Sequence, residues 1–249
     1  MGSRYRQWAP AVAPRRQVAC VWVRESDAGA AHRQLIVPDG CLDLLWDGAQ
    51  VQVVGPDRVP RTVPVPGGTR MAGLRLRPGA AALLLGRTPA RELCDLQVPL
   101  AELAPGTAEL LTERLGTAGT ATAAAELLDA FAAELRPGRP PDPLVEQAVA
   151  ALGRPRPAPL PRLAEHLGLS ERQLRRRLTD AVGYGPSTLH GVLRFQRALA
   201  AARRDGRPLA EAAAAAGYAD QAHFTREVRR LAGVPPTTLL GRRPERGIG

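Results

Sequence analysis

Two stretches near the end of the chain repeat one pattern about fifty residues apart, and that repetition constrains the fold more than any other feature. LPRLAEHLGLSERQLRRRLTDAVG (160–183) and LAEAAAAAGYADQAHFTREVRRLAG (209–233) each read as helix, glycine turn, helix. In the first, Leu160, Leu163, Ala164 and Leu167 form an apolar stripe and Gly168 ends it. Ser170-Glu171-Arg172-Gln173 is then a capping box, able to satisfy two of the orphan amides that every helix start leaves open. Leu174, Leu178 and Ala181 follow at i, i+4, i+7. In the second, Gly217 makes the turn, Asp220 is the N-cap, and Phe224, Val228 and Leu231 repeat that spacing. At about 100° per residue, Arg172, Arg176 and Thr179 fall opposite the first stripe, with Arg175 on its flank. Ala222, Arg226 and Arg229 fall opposite the second, with His223, Thr225 and Arg230 more lateral and Gln221 on the flank of the first turn. Between the units, STLHGVLRFQRALAAARRD reads as a single helix of about 18 residues, apolar at Leu189, Val192, Leu193 and Leu199.

Charge follows the same division. Residues 1–149 hold 16 Arg against 16 acidic residues, whereas residues 150–249 hold 18 Arg against 8, so the whole net charge of +10 lies in the last hundred residues. A neutral half joined to a half this basic points to a polyanion-binding module, with double-stranded DNA the foremost candidate. A membrane-surface helix would need one long amphipathic stripe rather than several short capped helices. All the basic residues except histidine are arginine, a sign of GC-rich coding, so position on a helix says more than residue identity.

Two helix-turn-helix units tied by one long helix resemble the AraC/XylS family of bacterial transcription regulators. The stretch AEAAAAAGYADQAHFTREVRRLAGVPPTTL is similar to that family's C-terminal signature, and the likeness covers roughly residues 145–240. Leu178 and Val228 depart from it, standing where the family often has Phe. The resemblance implies two second helices entering successive major grooves, with base readers at Arg172, Arg175 and Arg176 in the first unit and Gln221, His223, Thr225 and Arg226 in the second. Arg194, Arg197, Arg203, Arg204, Arg207, Arg229 and Arg230 would then meet phosphate or solvent. RNA polymerase and a second copy of the chain are further partners that it implies.

The first half reads differently. CLDLLW and AQVQVV flank Asp47-Gly48, a strong hairpin signal, TVPV and RMAGLRLR flank Pro66-Gly67-Gly68, and ACVWVRE supplies an earlier strand. Five or six short strands over 15–77 predict a sandwich or small barrel, followed by helices over 78–135. The expected fold is α+β: a small β-barrel or cupin-like domain with helices over residues 1–142, then an all-α double helix-turn-helix domain over 143–249. The Pro-rich segments RPGRPPDP (136–143) and GRPRPAP (153–159) read as linker. IVPDGCLDLLWDG, VVGPDR, GLRLRPGAAALLLG and VPLAEL also resemble an uncharacterised domain often fused to AraC-type halves, and the wider family implies a small-molecule effector or dimerisation there.

Within CLDLLW, alternation puts Cys41, Asp43 and Leu45 on one face and Leu42, Leu44 and Trp46 on the other. Asp43 and Trp46 are the candidate ligand residues, Asp43 having as its bland alternative the satisfaction of a buried Arg such as Arg75. No metal site, catalytic constellation or cofactor motif is expected. His223 has no ligand partner at metal spacing, Cys20, Cys41 and Cys94 read as small buried hydrophobes, and GxSxG, Walker, GxGxxG and HExxH patterns do not occur. Neither a signal-peptide-like start nor a membrane-length apolar run is seen, so a cytoplasmic, non-enzymatic regulator is the expectation. Its rivals are an enzyme or small-molecule binder with a non-specific basic tail, and an interaction protein for an acidic partner.

Overall fold

The computed structural model describes residues 3–135, 140–204 and 208–241, with the Arg204 side chain outside that description. Its β region comprises β1 (Arg4–Trp8), β2 (Val18–Glu25), β3 (His32–Ile36), β4 (Leu42–Trp46), β5 (Val51–Val54), β6 (Arg61–Val65), β7 (Arg70–Leu76) and β8 (Gln97–Pro99). Six strands pair antiparallel in the order β1-β2-β7-β4-β5-β8, while β3 and β6 form a separate pair. No ladder among the described residues joins the two, so the β half is a pair of sheets with free edges and not a closed barrel.

The Asp47-Gly48 hairpin forms between β4 and β5: Asp47 Oδ1 accepts from the amides of Ala49 and Gln50, both at 2.9 Å, and Gly48 takes φ +99°. The turn at 66–68 does not close a hairpin. Gly68 N–H donates to Asp27 O at 3.1 Å and Ser26 Oγ to Pro66 O at 2.8 Å, so this turn lies on the turn that follows β2. Gly67 comes so close there that a Cβ would stand 2.0 Å from Ala28 O. The two crossings between sheets run side by side, which sends β6 to β3 and β7 to β2 and β4.

The predicted alternation in β4 holds. Leu42, Leu44 and Trp46 enter the main apolar core with Val21, Val23 and Leu74, and that face is covered by α4 (Ala121–Glu134), preceded by α3 (Pro105–Gly116). Two one-turn helices, α1 (Ala82–Leu85) and α2 (Leu100–Leu103), and a 3-10 turn, Ala90–Leu93, complete this half. On the opposite face of the large sheet Asp43 stands across from Arg75. Arg75 donates from Nε to Oδ1 at 2.9 Å and from Nη2 to Oδ2 at 3.0 Å, with Asp39 at 3.6 Å from Nη1. Burial works against the guanidinium charge, and Asp43 and Asp39 reverse that effect, holding Arg75 protonated well above its usual range.

The C-terminal helices are α5 (Pro143–Leu152), α6 (Leu160–His166), α7 (Glu171–Val182), α8 (Pro186–Arg204), α9 (Leu209–Ala216), α10 (Gln221–Ala232) and α11 (Pro236–Gly241). They share one core in which Leu174, Leu178, Phe195, Phe224, Val228 and Leu231 are fully enclosed. Among the described residues no helix is long and apolar enough to cross a membrane.

Removing one member of a buried ion pair strands the other. Asp43→Ala is expected to lower stability in denaturant unfolding by about 3–5 kcal/mol, whereas an equivalent loss at the exposed Arg58–Asp95 pair would stay under about 1 kcal/mol.

Candidate nucleic-acid interface

Each unit is set by its turn and its cap. The α7 start is a complete capping box: the Gln173 amide N–H donates to Ser170 Oγ at 3.3 Å and the Ser170 amide to Gln173 Oε1 at 2.8 Å. At α10 the Asp220 carboxylate accepts from His223 N–H at 2.6 Å. Both second helices end at glycines in the left-handed region, Gly183 at φ +97° and Gly233 at φ +69°, a conformation costly to any residue with a Cβ. The first unit turns at Gly168, φ +66°, and the second at Gly217, φ +90°.

With the stripes buried, the opposite faces are open. Arg172, Arg175 and Arg176 are all exposed on α7, Arg175 lying 3.7 Å from Glu171 one turn earlier. On α10 Gln221 and Arg226 are exposed, whereas His223 and Thr225 are half-buried. Thr225 Oγ1 donates back to Gln221 O at 2.8 Å, so its hydroxyl is already partnered along the helix. The His223 ring meets the edge of Tyr218 at 5.2 Å between centroids. Arg177, on the packed side of α7, pairs with Asp142, the N-cap of α5.

The arginines assigned to the DNA backbone divide. Arg229 and Arg230 are exposed at the end of α10. Arg194 and Arg197 turn inward instead. Arg194 lies over the Tyr218 ring, 4.3 Å from its centroid, and reaches Glu227 Oε1 at 3.4 Å with a side chain only 16% exposed. Arg197 donates to Ala216 O at 3.0 Å, capping the end of α9, and burial lowers its pKa from the usual value. Arg203 is likewise lowered by burial, and the Arg204 and Arg207 side chains lie outside the described residues.

This arrangement exposes two residues that the helical wheel does not single out. Glu227 of α10 joins Arg194 of α8 and Arg230, at 3.4 and 3.3 Å, and its carboxylate comes so close to α8 that a Cβ on Gly191 would stand 3.0 Å from Oε1. Tyr218 is enclosed between Arg194, His223 and Phe224, and burial pushes its phenol up to about 12. Together they tie the second helix of the C-terminal unit to the long connecting helix. The one available signal was a lone acid among arginines, three residues before Arg230.

In the first half, both ligand candidates are buried. Asp43 commits both oxygens to Arg75, and Trp46 is 7% exposed in the main apolar core.

The sequence matches the helix-turn-helix domain family over residues 163–242 and the domain of unknown function DUF6597 over residues 6–99. No match in sequence to a curated protein was found. Among solved structures, an AraC-type transcriptional regulator from Chromobacterium violaceum is similar at 24% identity, covering 42% of this chain and 96% of that one with a TM-score of 0.39. Two structures of ToxT from Vibrio cholerae are similar along most of the chain. An apo variant has 10% identity, 97% coverage of both chains and a TM-score of 0.46. A form bound to an unsaturated fatty acid has 9% identity, coverage of 84% and 94%, and a TM-score of 0.47. The chain thus carries a helix-turn-helix domain over residues 163–242, preceded by a match to DUF6597 over residues 6–99.

Proposed function

We infer that the protein is a sequence-specific, DNA-binding transcription regulator. The observation that carries this reading is the pair of capped helices, α7 and α10, each with an arginine-bearing face left open by a buried apolar stripe (Leu174, Leu178 and Val182 on α7, in place of the expected Ala181; Phe224, Val228 and Leu231 on α10), and both rooted in a core shared with α8. The 19 residues of α8 span roughly 28 Å at 1.5 Å each, commensurate with the ~34 Å between successive major grooves on one face of B-DNA.

Arg172, Arg175 and Arg176 from α7, and Gln221, His223, Thr225 and Arg226 from α10, are the proposed base readers. Arginine suits guanine O6 and N7, and glutamine suits adenine N6 and N7. Arg229 and Arg230 are the proposed backbone contacts. Arg194 and Arg197, with partners inside the protein, support the geometry of the interface instead. We place the boundary between an N-terminal modulating or dimerising unit and the DNA-binding unit near residue 142, and assign the protein to the cytoplasm.

Titration of the full chain against a selected duplex and a random one checks these roles. Arg176→Ala or Arg226→Ala is expected to weaken the selected site by about 1–3 kcal/mol and to relax one base position, while Arg229→Ala weakens both duplexes alike. Equal losses on both duplexes for all three variants contradict the assignment, and indifference to sequence in the unmodified chain favours a non-specific basic tail.

Glu227→Ala is expected to behave otherwise. It leaves the half-buried Arg194 guanidinium without its carboxylate, so thermal unfolding and affinity for the selected duplex should fall together, stability by about 1–2 kcal/mol. Arg226→Ala should leave the unfolding temperature where it is.

A further inference from the structure

The Pro-rich segment between α5 and α6 is packed against both helix-turn-helix units. It leaves α5 with Gly153 N–H donating to Val149 O at 2.8 Å and Arg154 N–H to Ala151 O at 3.2 Å. His190 of α8 donates from Nδ1 to Leu152 O at 2.9 Å. Three residues on, the segment reaches the turn of the second unit, where a Cβ on Gly217 would stand 2.2 Å from Pro155 O. Ala216, beside that glycine, accepts from Arg197 of α8 at 3.0 Å. The segment therefore runs alongside the middle of α8, from His190 toward Arg197. It closes the seam between α5, which packs on α7, and the turn that precedes α10.

Its composition suits a polyanion. From residue 147 to residue 164 the chain holds Arg154, Arg156 and Arg162 and no acid. All three are exposed, and among the described residues none has an ion-pair partner. Arg177, Arg194 and Arg197 differ, their guanidiniums being held by protein partners. Pro155 and Pro157 follow Arg154 and Arg156 directly. Proline fixes its own φ and disfavours the helical region for the residue before it, so these two arginines stand on a backbone with little freedom to lose on binding.

The seam also lies away from the contact that α8 makes with the N-terminal half. Gln196 makes that contact, donating to Pro38 O. At about 100° per residue Gln196 stands about 160° around α8 from Arg194, which faces the seam one turn after His190. A duplex that takes α7 and α10 in successive major grooves presents a minor groove between them, opposite the middle of the connecting helix.

We propose that this segment is a third DNA contact: Arg154 and Arg156 enter the minor groove between the two major grooves occupied by α7 and α10. The proposal rests on the reading of those helices as DNA-binding elements. Narrow minor grooves concentrate negative potential and attract arginine, and A-tracts are among the narrowest. The contact thus confers a sequence preference on base pairs that neither helix reaches.

Titration of the full chain against two duplexes tests this. Both carry the major-groove segments of a selected site, and they differ only in the base pairs between those segments, an A-tract in one and a G·C run in the other. The unmodified chain is expected to bind the A-tract duplex about tenfold more tightly. The double variant Arg154→Ala, Arg156→Ala should bind both about equally, with the salt dependence of log K shallower by about 1–2 and the unfolding temperature unchanged. Arg176→Ala should weaken both duplexes and keep the ratio between them. Equal affinity of the unmodified chain for the two duplexes, or an A-tract preference that survives the double substitution, overturns the minor-groove contact. A lowered unfolding temperature in the double variant overturns it too, since the arginines would then be securing the seam. If the unmodified chain binds neither duplex better than a random one, the reading of α7 and α10 fails and takes this contact with it. Tight binding of both without preference removes this contact alone.

Discussion

The C-terminal half depends on the enclosure of two short apolar stripes in one common core. Leu174 and Leu178 on α7, and Phe224, Val228 and Leu231 on α10, are fully buried, and the same core takes in Leu189, Val192 and Phe195 of α8. A twelve-residue helix with so many charges has little reason to stay helical alone, and tertiary burial of one face provides it. Once those stripes are fixed, helical geometry alone turns Arg172, Arg176 and Arg226 outward. The orientation of that exposed face is therefore a consequence of packing.

That packing is finished by polar contacts of unequal importance. The surface pair Arg175–Glu171 is open to solvent and contributes little, whereas Arg194, Glu227 and Tyr218 hold α10 to α8 in a partly enclosed site where the same charges act more strongly. The N-terminal half adds a further restraint. Gln196 of α8 donates to Pro38 O, and Cys94 Sγ donates to Gly183 O at 3.1 Å, so the connecting helix and the end of α7 both rest on the β half.

Much of this was legible in the sequence because helix signals are local. The Ser170 and Asp220 caps, the glycine turns and the 3.6-residue stripes each need only a few neighbours to read, and each appears where its pattern places it. The β half was less legible. Its Asp47-Gly48 hairpin is a local signal and forms, but the route of β6 depends on a turn forty residues earlier, which no window around Pro66 contains. Arg194 illustrates the same limit: its position on α8 suggests a phosphate contact, and only the arrival of Tyr218 and Glu227 from later in the chain turns it inward.

The central claim is that both units engage one duplex together. Hydroxyl-radical and methylation footprinting of the full chain on duplexes selected from a random pool measures this most directly. Two major-groove segments protected on the same face, about 10 base pairs apart from centre to centre, are the predicted result. A single protected segment, or uniform weak protection along the whole duplex, contradicts it.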